Sequence, residues 1–355
     1  MTYRITLLPG DGIGPEVTRV ARAAIERAAQ IGGFSVSFSS HEFGGASIDH
    51  FGEPLTEETL AACKSADAVF LGAVGGPKWD DAPARPEAGL LALRKALGVY
   101  ANLRPVSVHP ALSDRSPLRP ELIEGADLLI VRELTGGIYF GERESGEGWA
   151  SDKCTYSVEE IERVARIAFD TARLRRGKLT SVDKANVLTT SKLWRETVSA
   201  MGARDYPDIS LDHMYVDAAA MHLIRAPRDF DVVLTENMFG DILSDEASML
   251  PGSIGLLGSA SLGDDRPGLF EPIHGSAPDI AGEDKANPFG AIESAAQLLE
   301  SGLGEALAAK RLREAVSRMH EAGEWTADLG GNLTCSQAGV RLLERMEAEV
   351  EAAAQ

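Results

Sequence analysis

Short apolar runs alternate with longer segments of helical period along almost the whole of this 355-residue chain, and that alternation narrows its fold more than any other feature. Tyr3–Leu8, Phe34–Ser39 and Ala66–Gly72 read as strands, with Pro15–Gln30 and Thr56–Lys64 as helices between them. Further on, Asp127–Arg132, Leu179–Asp183, Ile209–Met214 and Asp231–Thr235 read as strands. Glu87–Leu97, Glu159–Leu174, Thr190–Met201 and Asn237–Met249 carry a helical pattern, as do Phe289–Glu300, Gly304–Glu321 and Cys335–Ala352. Strands separated by helices pair in parallel, so an α/β architecture with a covered, largely parallel sheet is expected. The length asks for two domains of ordinary size. Two segments break the rhythm. Thr135–Tyr156, rich in glycine and charge, reads as a hairpin arm, and Pro251–Arg266 as an ordered loop.

Charge and composition remove several function classes. A net charge of −19 repels nucleic acid and anionic membrane alike, so neither is an expected partner. No apolar run approaches the roughly 18 residues of a membrane span. Met1–Gly10 reads as a strand and turn rather than a secretion signal. The three cysteines, Cys63, Cys154 and Cys335, are odd in number and far apart, which fits reduced thiols in a cytoplasmic protein. In so acidic a chain, an anionic substrate needs a local cluster of arginines.

Gly10-Asp11-Gly12-Ile13-Gly14-Pro15 follows a strand and opens a helix. Its G-x-G-x-G spacing, with Pro15 after the last glycine, suits a tight turn with proline at the helix start better than a dinucleotide fingerprint. Asp241 and Asp245 stand one helical turn apart on one face, where something positive is expected between them. Oxygen-only donors at that spacing suit Mg²⁺ or Mn²⁺, although a solvated acidic face has the same pattern. Asp217 reads as the N-cap of a helix over Ala218–Ile224, or as a third carboxylate. Arg132 ends a buried strand, Arg104 precedes Pro105 in extended chain, and Arg94 shares a helix face with Leu90 and Leu91. A guanidinium beside an apolar patch suits a ligand that is part carboxylate and part hydrocarbon, while a surface ion pair is the alternative for each arginine alone.

Taken together, these blocks resemble the β-decarboxylating dehydrogenases of the isocitrate/isopropylmalate dehydrogenase family, over nearly the whole chain. The most specific are Glu87–Lys95, Asn102–Pro105, Val131–Tyr139, Asp183–Val187, Thr235–Asp245 and Glu271–Gly282. The resemblance implies the family's two-domain α/β fold with a mixed, largely parallel sheet, not a Rossmann fold. An NAD-binding domain would comprise residues 1–99 and 252–355. Residues 100–251 would bind substrate and metal and dimerise, with the arm at about 135–156.

By the same resemblance, Arg94, Arg104 and Arg132 would bind substrate carboxylates, with Leu90, Leu91 and Val187 lining the site. Tyr139, Lys184 and Asp217 would be catalytic and also touch substrate. Asp217, Asp241 and Asp245 would hold Mg²⁺ or Mn²⁺. Lys184 and Asp217 would come from a second copy, which implies a homodimer with shared active sites. NAD would be held by Gly75, Gly76, Glu87, Asn186, Glu271, His274, Gly275, Ser276, Ala277, Asp279, Ile280 and Asn287. Asp279 suits ribose hydroxyls and repels a 2′-phosphate, which favours NAD over NADP.

The expected reaction is oxidation and decarboxylation of a small branched 2-hydroxy diacid, 3-isopropylmalate, in leucine biosynthesis. Leu90 and Leu91 offer an isopropyl branch roughly 0.8 kcal/mol per buried carbon but give a third carboxylate no partner. D-malate, tartrate and (homo)isocitrate are the alternative substrates. A catalytically silent regulatory subunit on the same fold would lack Tyr139, Lys184 or one of the aspartates, and a plain nucleotide-binding module would not need the arginines.

Overall fold

The computed structural model describes residues 2–265 and 267–353. In chain order the strands are β1 (Thr2–Gly10), β2 (Ser35–Ser40), β3 (Ala68–Ala73), β4 (Ala101–Ser107), β5 (Asp127–Glu133), β6 (Arg143–Gly146), β7 (Trp149–Asp152), β8 (Lys178–Asp183), β9 (Ser210–Tyr215), β10 (Val232–Thr235), β11 (Gly258–Leu262) and β12 (Gly268–Pro272). The helices are α1 (Gly14–Gly32), α2 (Gly45–Phe51), α3 (Glu57–Ser65), α4 (Pro86–Leu97), α5 (Pro120–Ile123), α6 (Val158–Leu174), α7 (Thr189–Asp205), α8 (Val216–Arg225), α9 (Asn237–Ser248), α10 (Phe289–Gln297), α11 (Ala306–Glu321) and α12 (Cys335–Ala353).

The chain divides into two compact units, one running up to Val99 and resuming at Pro251, the other covering Tyr100–Leu250. In the first unit the strand order is β2-β1-β3-β12-β11, parallel throughout except where β11 meets β12. Every residue of β3 is buried, as a strand covered on both faces requires. Leu8, Phe43, Cys63, Val69, Leu71, Leu93 and Leu269 form one of its cores. Helices α1, α10, α11 and α12 pack against one another.

In the second unit the order is β4-β5-β10-β8-β9, antiparallel only between β4 and β5. Apolar residues of α6 and α7, among them Ile161, Phe169, Trp194 and Met201, close over Leu129, Val131, Leu179, Val232 and Leu234 of the strands. Helix α6 starts at a reciprocal cap in which Ser157 accepts from the Glu160 N–H and the Glu160 carboxylate accepts from the Ser157 N–H. The β6–β7 hairpin lies in the segment read as an arm, and all its residues are exposed.

The structure corrects three local expectations. Pro251–Arg266 contains a strand, β11, hidden from sequence by the small residues Gly258, Ser259 and Ala260; Arg266 itself lies outside the described residues. Ala101–Ser107 is a full strand, not merely extended chain. Asp217 is not an N-cap: Tyr215 takes that position, and Asp217 sits inside the first turn of α8.

Candidate active site

Strand register gathers a polar cluster in the second unit. Asn102 of β4 lies opposite Arg132 of β5, and Arg132 lies opposite Thr235, where β10 leads into α9. Helix α9 approaches closely because residue 240 is glycine; a Cβ there would fall 2.2 Å from the Thr235 hydroxyl and 2.7 Å from Arg132 Cγ. Its exposed edge presents Asp241 and Asp245 to two buried arginines. Arg132 donates to Asp241 through Nη1, and Arg104 donates to Asp245 through Nη1 at 3.2 Å, with Nη2 3.9 Å from Asp241. The positive charge expected between the two aspartates is therefore present. Tyr139 donates its hydroxyl to Asp241 Oδ2 at 3.0 Å, and Arg132 lies over its ring.

Electrostatics follow from this packing. Burial and the neighbouring Asp241 push the Tyr139 hydroxyl above the ordinary tyrosine range, so it keeps its proton at neutral pH. Burial raises the Asp245 carboxyl, opposed by Arg104 and reinforced by Asp241. The donors on Asp241 and Asp245 are oxygen only, the set a hard divalent cation takes.

A second layer fixes the arginines. Asn237 accepts from Arg132 Nε at 3.0 Å and Nη2 at 2.8 Å, and its amide donates to the Gly136 carbonyl at 3.1 Å. Tyr156 accepts from the Asn237 backbone N–H at 3.0 Å, and its hydroxyl lies 3.2 Å from both Glu133 and Glu236. Burial raises both of those carboxyls above the usual range. Arg104 donates to Asn102 at 2.7 Å and to the Ser244 hydroxyl at 2.6 Å. Sequence reading missed Asn102, Glu133, Tyr156, Glu236, Asn237 and Ser244. Their only signal was polarity inside apolar elements.

Lys184, just past β8, donates to Asp217 Oδ1, and this pairing holds the Asp217 carboxyl below its ordinary range. Asn186 and Val187 nearby are exposed. Asp217 does not join Asp241 and Asp245 within the chain: among the described residues no three His, Cys, Asp or Glu side chains form a group that could hold a metal ion.

In the first unit, Leu90 and Leu91 are half-buried on α4, and the buried Arg94 donates to Glu271 at 2.8 Å. Glu87 is exposed, beside the positive-φ Gly75, where a Cβ would meet its carboxylate at 2.5 Å. Gly76 also has positive φ. His274 is buried, its Nδ1 donates to the Gly275 carbonyl at 2.9 Å, and burial lowers its pKa, so the ring is neutral. Its Nε2 is buried without a partner among the described residues, an acceptor that a dinucleotide's N–H could satisfy. Ser276 is buried, Ala277 has positive φ, and Ile280 closes the turn by donating to the Ala277 carbonyl. Asp279 is exposed. Asn287 donates to Asp328 at 2.8 Å and accepts from the Phe289 N–H.

Comparison with known proteins bears on this arrangement as a whole. The family model described as isocitrate/isopropylmalate dehydrogenase matches residues 4–342. A 3-isopropylmalate dehydrogenase from Synechocystis is 55% identical over 98% of this chain and 99% of its own. One from Staphylococcus aureus is 56% identical, with coverage of 94% and 96%. An isocitrate dehydrogenase from Methylococcus capsulatus has a solved structure that superposes with a TM-score of 0.88 at 36% identity, covering 97% of this chain and 99% of that one.

Proposed function

The chain belongs to the isocitrate/isopropylmalate dehydrogenase family, and we propose that Arg104, Arg132, Tyr139, Asp241 and Asp245 form the seat where its substrate reacts. It is a decarboxylating oxidoreductase of leucine biosynthesis, and its small-molecule substrate is 3-isopropylmalate. The convergence of two buried arginines and a protonated tyrosine on two carboxylates supports this seat.

The reaction converts (2R,3S)-3-isopropylmalate and NAD to 4-methyl-2-oxopentanoate, CO₂ and NADH. Arg104 and Arg132 grip the diacid's carboxylates, and their second-layer bonds keep the guanidinium planes from turning. Asp241 and Asp245, with Asp217 of a second copy, hold Mg²⁺ or Mn²⁺. Such an ion would supply Lewis acidity to the C2 oxygen through both oxidation and loss of CO₂. Lys184 relays the hydroxyl proton, giving up one of its own to solvent as it accepts the other, and Asp217 holds its Nζ in place. Tyr139, with its raised pKa, delivers a proton to the carbon that CO₂ leaves. Arg94 reaches a carboxylate while Leu90 and Leu91 receive the isopropyl group.

Gly75, Gly76, Glu87, Asn186, Glu271, His274–Ile280 and Asn287 would hold NAD, with Asp279 placed to accept from its ribose hydroxyls. The vacant acceptor on His274 supports that path. The chain works as a homodimer with crossed sites. Two observations support this: Lys184 and Asp217 pair apart from Asp241 and Asp245, and Met221, Ile224 and Ile242 of α8 and α9 are exposed.

Subunit mixing tests the crossing. Lys184→Ala and Asp241→Asn homodimers are each inactive, and exchange between them restores about a quarter of wild-type NADH formation. Failure of the mixture to recover activity, with exchange confirmed by mass, would reject shared sites. A panel of isopropylmalate, isocitrate, D-malate and tartrate settles the preference. Faster turnover of any other member would overturn the substrate reading.

A further inference from the structure

The Gly10–Pro15 turn is a hub. The Asp11 carboxylate is buried and accepts three backbone N–H groups from two other segments: Gly45 at 2.9 Å, Ala46 at 2.8 Å and Gly75 at 2.8 Å. Its own N–H donates to the Ala73 carbonyl at 2.9 Å. Two residues on, the Ile13 N–H donates to the Ser276 carbonyl at 2.8 Å. Between them Gly12, at φ +56°, lies so close that a Cβ would stand 2.0 Å from that same carbonyl oxygen. One short turn therefore holds Gly75 and Ser276, segments about two hundred residues apart in sequence. The Gly45 and Gly75 N–H groups that end on Asp11 would otherwise be buried donors without an acceptor.

We propose that Asp11 is a positioning residue for the dinucleotide: it fixes the Gly75–Gly76 backbone while the turn it anchors fixes Ser276–Ala277, so the two walls of the cofactor site keep their spacing. The inference rests on the reading that these loops bind NAD. Burial raises the Asp11 carboxyl and the three N–H donors oppose the rise.

Asp11→Asn keeps the size and one carbonyl oxygen but turns one acceptor into a donor. In the full-length enzyme it raises KM for NAD and the Kd for NADH about tenfold, while KM for isopropylmalate stays within about twofold. Asp11→Glu recovers part of the loss. A merely structural role would lower the melting temperature and move both KM values together, or neither. Either result overturns the proposal. If the Asn variant does not fold, the Glu variant carries the same split, and an NADH Kd equal to wild type in it, with a lowered melting temperature, counts against the inference. Asp279→Lys tests the underlying reading separately. Should it leave the NAD-over-NADP preference unchanged, the assignment of the loops fails; should it shift the preference while Asp11→Asn leaves KM for NAD unchanged, only the role of Asp11 fails.

Discussion

The Asp241 cluster and the Gly75–Ser276 loops solve the same problem, holding polar groups still, by opposite means. In the 100–250 unit the groups are side chains projecting from β4, β5 and α9, and other side chains steady them: Asn237 holds Arg132, and Asn102 and Ser244 hold Arg104. In the other unit the Gly75 and Ser276 segments are shaped largely by main chain, through positive-φ glycines and N–H groups that end on Asp11 or donate to Ser276. A side-chain site is open to single substitutions at each member. A site shaped by backbone responds also to changes in the turns that set it, away from the side chains, such as Asp279, that face the ligand.

The contrast orders three expected outcomes. Tyr139→Phe removes the proposed general acid and lowers kcat on the order of 10³-fold with little change in KM for NAD; steady-state kinetics with both substrates varied reads this directly. Asn237→Ala leaves the buried Arg132 Nε and Nη2 without their acceptor, and kcat/KM for isopropylmalate falls about tenfold while the Kd for NADH holds. If the loss falls on NADH instead, the second layer serves something other than Arg132. Ser276→Ala, which spares the carbonyl that receives the Ile13 N–H, changes KM for NAD by less than about twofold. A large effect there would mean that the hydroxyl, not the backbone, makes the contact, and the contrast between the two regions would collapse.

The same contrast explains what was legible in the sequence. Asp241 and Asp245 announce themselves by helical spacing, and Arg132 by its place at the end of a buried strand. The hairpin announces itself by glycine and charge. Asn102, Asn237 and Ser244 do not, because a polar residue in a strand or helix has no local mark of which partner it meets. Tyr156 and Glu133 lie 23 residues apart and meet only through the fold. Strand β11 stayed hidden because Gly-Ser-Ala lacks the β-branched and aromatic residues that mark strands. Asp11 carries no such mark either, since a turn's tertiary hydrogen bonds leave no periodicity to read.

The Arg104, Arg132, Asp241 and Asp245 group has a thermodynamic corollary. Two guanidinium and two carboxylate groups sum to no net charge in a half-buried space. A divalent cation entering alone leaves an excess of two positive charges, and a diacid entering alone leaves an excess of two negative ones. Entering together they preserve neutrality, so each raises the affinity for the other by the same factor. On the proposed assignment, a site built this way favours the ion and the acid as a pair over either by itself.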